Sequence, residues 1–197
     1  MGASYALSEA ALRFDGEDNV DVQQHVAAAF IARRFGPRLS AQLTLGGILD
    51  GQLEGQGRRF DVNPGFLFSV SGAYRFVGEP GDAVFATATL GYGMSFASTE
   101  EEVPNGGSSV PLSASDLRLG VLLGTTLGET VSPFVAARGF AGPVGWELDG
   151  KKRTGSDRHH YAIGAGVVVN LQERLDLTVD ASFLGERTLA AALALGF

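Results

Sequence analysis

A histidine and several carboxylates lie near one end of two neighbouring segments. Asp21 and His25 are in "VDVQQHVAAAFIA", and Asp50 and Glu54 are in "RLSAQLTLGGILDGQLEG". The two segments meet at the short turn "FGPR", so a tight hairpin would bring Gln23 opposite Asp50. An imidazole beside carboxylates can donate and accept protons in hydrolysis. The pattern therefore predicts a rim cluster, which is either an acid/base site or a solvated rim with an incidental histidine.

A second set of charged residues falls on the polar positions of alternating segments. These residues are Arg13, Arg75, Arg118 and Arg138, with Glu9, Asp116, Asp176 and Asp180 as potential partners. In a narrow interior, charged groups need partners because they are partly removed from water. We expect either a lattice of salt bridges that plugs the interior or a charged eyelet that selects small solutes.

The adjacent histidines His159 and His160 suggest metal binding by residue type alone. Neighbouring residues on a strand point to opposite faces, so the two imidazoles cannot share one ion without a bulge. We predict no metal site and no cofactor, and we place His160 on the interior face at the end of a loop.

The elements that position these side chains are strands, because the dominant hydrophobic period is two. Clear alternation occurs in "RLSAQLTLGGILDGQLEG", "FLFSVSGAYRF", "VFATATLGYGMSF", "HYAIGAGVVVNL" and "RLDLTVDASF". With the less regular segments included, residues 1–197 are predicted to form a single all-β domain of ten antiparallel strands, with eight as the alternative. Pro143 is the main misfit, because proline cannot donate to a ladder, and we expect it at a bulge or at the rim.

The connections alternate between compact turns such as "FGPR" and long polar loops such as "STEEEVPNGGSSVPLSA". This alternation indicates an up-and-down meander with short turns at one end and long loops at the other. An antiparallel meander can close as a soluble barrel with its apolar face inward, or as a membrane barrel with that face outward.

Composition narrows the function classes. The net charge of −7 offers no basic stripe for nucleic acid, and the absence of cysteine excludes disulfides and thiolate metal sites. No run of 18 apolar residues is present, so a membrane-spanning helix is excluded. The stretch "MGASYALSEAALRF" lacks the pattern of a signal peptide. If the protein is exported, we expect Met1 to replace a removed signal.

Three observations favour the membrane barrel. The apolar faces carry almost no charge in their central stretches, while the polar faces contain many small residues that suit a crowded lumen. Aromatic residues such as Tyr74, Phe76 and Tyr161 fall near strand ends on the apolar face, as in interfacial aromatic girdles. Long loops at one end and short turns at the other are also usual for such barrels.

The chain ends in "LAAALALGF", where Leu193, Leu195 and Phe197 alternate with small residues. This ending resembles the C-terminal signature of bacterial outer-membrane β-barrel proteins. The resemblance implies a transmembrane up-and-down barrel in the bacterial outer membrane. It also implies that the barrel-assembly machinery reads the last strand, with Phe197 as an assembly signal.

The resulting expectation for function is a narrow passive channel for small solutes or a structural membrane protein, in contact with the lipid bilayer. One alternative is a barrel-embedded hydrolase at the rim, since a histidine with carboxylates there resembles the omptin proteases, which are ten-stranded barrels. The other alternative is an adhesion protein that acts through its long loops.

Overall fold

The computed structural model describes residues 1–14, 19–55, 57–79, 82–102, 109–128, 130–148, 150–172 and 174–196. Thirteen strands lie within these residues: β1 (Gly2–Phe14), β2 (Asn19–Phe35), β3 (Leu39–Gly55), β4 (Arg58–Val62), β5 (Gly65–Val77), β6 (Val84–Glu101), β7 (Val110–Thr125), β8 (Val131–Ala141), β9 (Pro143–Leu148), β10 (Lys151–Asp157), β11 (Tyr161–Gln172), β12 (Leu175–Gly185) and β13 (Arg187–Leu195). In the part of the chain so described, no helix is long and apolar enough to cross a membrane.

All strands belong to one antiparallel sheet, which confirms the predicted all-β, up-and-down arrangement. The first and last strands pair with each other, from Gly2 opposite Ala194 to Glu9 opposite Arg187. Each of the thirteen strands has a hydrogen-bonded neighbour on both sides. The series of pairings therefore returns to its starting strand, which leaves none of them as a free edge.

The predicted strand count is wrong, because thirteen strands lie within the described residues, and neither ten nor eight. The additional strands are β4 and β10, which lie in segments that the sequence predicts as connections, and β9, which a break divides from β8. Residues 63–64 separate β4 from β5, although both pair with β3 and β6. Gly142 separates β8 from β9, and residues 158–160 separate β10 from β11. Pro64 and Pro143 lie at two of these breaks, where a residue without an amide proton interrupts the ladder least.

The hairpin between β2 and β3 also differs from its predicted register. Gly36 adopts a φ of 84° in the turn, and Phe35 pairs with Leu39 across it. Further along, a bulge shifts the register, so that His25 pairs with Asp50 and Val26 with Ile48. The prediction that Gln23 lies opposite Asp50 is therefore wrong. A bulge adds one residue to a strand and exchanges its two faces beyond that point.

The outer surface of much of the sheet is apolar, and we call this surface the apolar band. Leu119 is 62% exposed and Leu43 is 49% exposed, although both lie in the middle of long strands. The band includes Tyr5, Ile31, Leu43, Leu45, Phe66, Val70, Tyr74, Leu90, Tyr92, Phe96, Leu117, Leu119, Val121, Leu123, Val135, Ile163, Val179, Leu189, Leu193 and Leu195. The predicted apolar face therefore points outward here.

At the long-loop end, the two faces exchange their character. This region, which we call the extension, comprises β4, β9 and β10 with residues 9–14, 19–25, 50–55, 97–101 and 110–115 of the adjoining strands. Its outward side chains are charged or polar, as at Asp21, Glu54 and Asp61. Together with Ile48, its inward side chains form a buried apolar cluster, which contains Leu12, Phe14, Val20, Leu53, Phe60, Val62, Leu112, Val144 and Trp146.

Trp146 lies at the centre of this core. Its ring centroid is 5.5 Å from that of Phe14 on β1 and 4.9 Å from that of Phe60 on β4. Its indole Nε1 donates a hydrogen bond of 2.9 Å to Thr99 Oγ1 on β6. These partners come from strands on different sides of the closed series of pairings. The core therefore fills the space enclosed by the extension.

Candidate functional site

Seven of the residues predicted to line the lumen lie on the outer face of the extension. They are Glu9, Arg13, Asp21, Gln23, His25, Asp50 and Glu54. Each alternates with a residue that points inward, as Arg13 does with Leu12 and Phe14, which are 6% and 2% exposed. On β3, the bulge moves Asp50 and Glu54 outward and Leu53 inward. The prediction that these seven side chains line the lumen is therefore wrong.

The predicted rim cluster is an exposed surface cluster. Tyr5 Oη lies 2.5 Å from His25 Nδ1, and His25 Nε2 lies 3.8 Å from a carboxylate oxygen of Asp50. Glu54 contacts Arg59 at 3.6 Å. The Asp50 side chain is 70% exposed, so its attraction to the imidazole is weakened by water. The arrangement therefore joins a hydroxyl to an imidazole by a hydrogen bond at the exposed surface.

Four of the predicted residues meet in two ion pairs on the inner face. Arg118 binds Asp116 through its Nε, and Arg138 Nη2 lies 2.6 Å from Asp180 Oδ2. Arg118 Nη1 also lies 3.1 Å from Glu186, whose side chain is only 11% exposed. Sequence reasoning missed Glu186 because it lies in the short connection "LGER", which gives no period-two signal.

The remaining three predicted residues are separate from these pairs. Arg75 donates a hydrogen bond of 3.2 Å to the Glu79 carbonyl, and its guanidinium lies 5.0 Å from the centroid of the Phe85 ring. Asp176 is half-buried opposite Asn170 of β11. His160 is exposed between β10 and β11. Its carbonyl oxygen accepts a hydrogen bond of 3.0 Å from the Phe140 amide.

A cavity of about 300 Å³ lies between the core and the Arg118 ion pairs. Its apolar wall includes Leu12, Ile48, Leu67, Leu112 and Val144. Its polar wall includes Gln24, Ser95, Asp116, Arg118, Asp157 and Glu186. The cavity therefore combines one apolar side with a cluster of charged side chains.

Asp157, at the end of β10 in the extension, has an altered pKa. Burial raises the pKa of this carboxyl to about 6, and the negative charge of Glu186 adds to the increase. Arg118 opposes the increase. Asp157 therefore changes its charge around pH 6. Within the described ranges, no group of three histidine, cysteine or acidic side chains is arranged to hold a metal ion.

The last strand has the predicted alternation. Leu193 and Leu195 are exposed in the apolar band, and Ala192 and Ala194 face inward. Phe197, the predicted assembly signal, lies outside the described residues.

No protein-family model matches this chain, and no curated protein matches it. Solved structures do. The translocator domain of the autotransporter NalP from Neisseria meningitidis matches with a TM-score of 0.56 and 12% identity, over 100% of this chain and 87% of that one. The outer membrane protease OmpT from Escherichia coli matches with a TM-score of 0.53 and 9% identity, over 98% and 93%. The β domain of the Bordetella autotransporter BrkA matches with a TM-score of 0.52 and 14% identity, over 100% and 98%.

These structures are outer-membrane β-barrel domains, so the predicted resemblance to that class is confirmed at the level of the fold. Their activities differ, since two are autotransporter domains and one is a protease. A fold with several activities does not assign one of them to this chain.

Proposed function

We propose that this protein is a non-conducting β-barrel of the bacterial outer membrane that acts as a structural membrane protein. The barrel anchors the extension, whose polar surface stands in water beyond the bilayer. The apolar band faces the lipid, since a water-facing surface with so many leucines would be costly.

The observation that carries this proposal is the packed core at the long-loop end. Phe14, Phe60 and Trp146 meet there from three separate strands. Leu53 is fully buried and Val62 is 2% exposed, so the core is tightly packed. An aqueous pore would have to pass through this core, and dry apolar packing of this kind excludes water and ions. Of the two functions expected from sequence, the core therefore favours the structural membrane protein over the passive channel.

The test is single-channel recording in planar bilayers. The wild-type protein, refolded and inserted, is expected to give no steady conductance. Phe60→Ala with Trp146→Ala removes two rings from the core and is expected to produce open events. Tyr92→Ala, on the outer apolar band, is the matched control and is expected to remain silent. Steady, ion-selective conductance of the wild-type protein would overturn the proposal.

We also propose that the barrel-assembly machinery recognises the last strand. The outward alternation of Leu189, Leu193 and Leu195 supports this proposal. Deletion of Phe197 is expected to reduce the heat-modifiable, folded form in outer-membrane fractions of cells that express a signal-bearing protein. Replacement of Phe197 by Tyr, which keeps a terminal ring, is the control. Equal amounts of folded protein in all three forms would contradict the proposed recognition.

A further inference from the structure

The cavity between the core and the Arg118 ion pairs is closed towards the long-loop end by side chains of the core. Leu12, Ile48, Leu112 and Val144 line the cavity and are each at most 7% exposed. Its volume of about 300 Å³ is at the lower end of the range for small-molecule sites. Such a wall would remove an apolar ligand body from water and favour its binding.

The other wall has more negative than positive groups. Asp116, Glu186 and Asp157 line the cavity together with a single guanidinium, that of Arg118. Arg118 is already engaged by Asp116 and Glu186. Among the residues that the structure describes, none donates a hydrogen bond to the Asp157 carboxylate or forms an ion pair with it. A positively charged ligand group would balance this excess, whereas an anion would be repelled.

We propose that the cavity binds a small organic cation with an apolar body, of the arylalkylamine class. The ammonium group lies among Asp157, Glu186 and Asp116. The apolar body packs against Leu112 and Val144. This binding activity is separate from the proposed structural role and does not require the barrel to conduct.

A path to the cavity leads from the short-turn end. A second cavity of about 290 Å³ adjoins the first, since both are lined by Ser69, Gly93, Asp116 and Arg118. The second cavity continues along the inner face past Thr89, Gly120 and Arg138. Because the core closes the long-loop end, we expect the ligand to enter and leave through the second cavity, from the short-turn end.

Binding of a cation is expected to depend on pH. The groups that act on Asp157 are Glu186 and Asp116, which favour its neutral form, and Arg118 and His160, which favour its charged form. Because its pKa is raised to about 6, Asp157 is mostly charged at pH 7.5 and mostly neutral at pH 5. The amine should therefore bind more tightly at pH 7.5 than at pH 5.

The experiment is isothermal titration of the full chain in lipid nanodiscs, so that detergent does not fill the cavity. Benzylamine, benzyl alcohol and benzoate are the probes, because they differ mainly in charge, and empty nanodiscs give the blank. Benzylamine is expected to bind saturably with one site per chain. Benzyl alcohol is expected to bind at least tenfold more weakly, and benzoate should give no saturable heat. Absence of saturable benzylamine binding, or equal binding of the alcohol, would overturn the proposal.

Two variants locate the site. Asp157→Asn removes one charge and is expected to weaken benzylamine binding at least fivefold at pH 7.5 and to reduce its pH dependence. Ala114→Leu, on the cavity wall, is expected to abolish binding by filling the space. Asp21→Asn, on the outer face, is the matched control and should bind like wild type. Heat-modifiable migration and the emission of Trp146, the single tryptophan, verify folding in each case. Unchanged affinity in both cavity variants would place binding elsewhere and refute the proposal.

Discussion

The apolar band and the extension are built from the same long strands but have opposite faces in contact with the surroundings. On β3, Leu43 and Leu45 point outward in the band, whereas Gln52 and Glu54 point outward in the extension. A bulge near Asp50 exchanges the two faces between these positions. In the proposed membrane orientation, each region presents to its surroundings the face with the lower solvation cost, which is the apolar face to lipid for the band and the polar face to water for the extension. One sheet can therefore combine a membrane barrel with a domain that has a packed interior.

The largest expected effect comes from the centre of the core. Trp146→Ala should lower the free energy of unfolding by about 3–5 kcal/mol, because it removes a buried ring between Phe14 and Phe60. Trp146→Phe keeps a ring and loses the hydrogen bond to Thr99, and we expect a cost nearer about 1–2 kcal/mol. Urea unfolding from lipid vesicles measures both values. A loss of under about 1 kcal/mol for the alanine variant would show that the core is not packed as described.

The band should be sensitive to charge where the extension is not. Leu119→Arg is expected to cost about 2–4 kcal/mol, because it places a charge in hydrocarbon near the middle of the bilayer. Asp61→Arg, on the outer face of the extension, should change stability by no more than about 0.5 kcal/mol. The same vesicle unfolding assay compares the two variants. Equal costs at both positions would remove the distinction between the two regions.

Ion pairs in the interior should matter more than those on the surface. Asp180→Asn breaks the half-buried contact with Arg138 and is expected to cost about 1–3 kcal/mol. Glu79→Gln breaks the contact with Arg38 at the surface, where the side chains of Arg38 and Glu79 are 45% and 67% exposed. This substitution should cost at most about 1 kcal/mol. Chemical unfolding at low and high salt distinguishes the two pairs. Only the pair of Arg38 and Glu79 should lose its contribution to stability at high salt. Loss of the contribution of Arg138 and Asp180 at high salt would contradict their position in the interior.

A further expected effect concerns the pH dependence of stability. The folded state raises the pKa of Asp157 from 3.8 to about 6, so it binds this proton more tightly than the unfolded chain does. The free energy of unfolding should therefore fall as the pH rises from about 4 to about 6, through this group. Asp157→Asn should flatten that slope and be more stable than wild type at pH 7.5. Unfolding curves at pH 4.5 and 7.5 provide the comparison. An unchanged slope in the variant would show that Asp157 is not the responsible group.

Sequence alone was sufficient for the strand class, the antiparallel order and the outward direction of apolar residues such as Tyr74 and Leu193. It also placed Asp116, Arg118, Arg138 and Asp180 on a common polar face. These successes depend on alternation within the apolar band, where an apolar residue occurs at every second position, as at Leu117, Leu119, Val121 and Leu123. In a strand, every second residue points to the same face, and this assignment holds until a bulge shifts it by one residue.

The extension could not be predicted in the same way. Alternation separates the two faces of a strand but does not indicate which face is in contact with water. Asp21 and His25 are therefore predicted to face the lumen, like the polar positions of the apolar band. The bulge near Asp50 leaves no clear mark in the sequence, and the breaks at Gly142 and after Val62 depend on tertiary pairing. Trp146 could have indicated that the inner face is apolar here. Val144 and Trp146 lie on the same face of the strand with Gly145 between them, and a large indole of this kind suits a buried face.

The central claim is the exchange of faces along one strand, and nitroxide accessibility on β3 tests it most directly. The chain has no cysteine, so Leu43→Cys, Leu45→Cys, Gln52→Cys and Glu54→Cys each give a single labelling site. The labelled protein in lipid vesicles is exposed to oxygen, which concentrates in lipid, and to a water-soluble nickel chelate. We predict that labels at positions 43 and 45 collide mainly with oxygen, and that labels at positions 52 and 54 collide mainly with the chelate. Chelate access at positions 43 and 45, or the same lipid exposure at all four positions, would contradict the account.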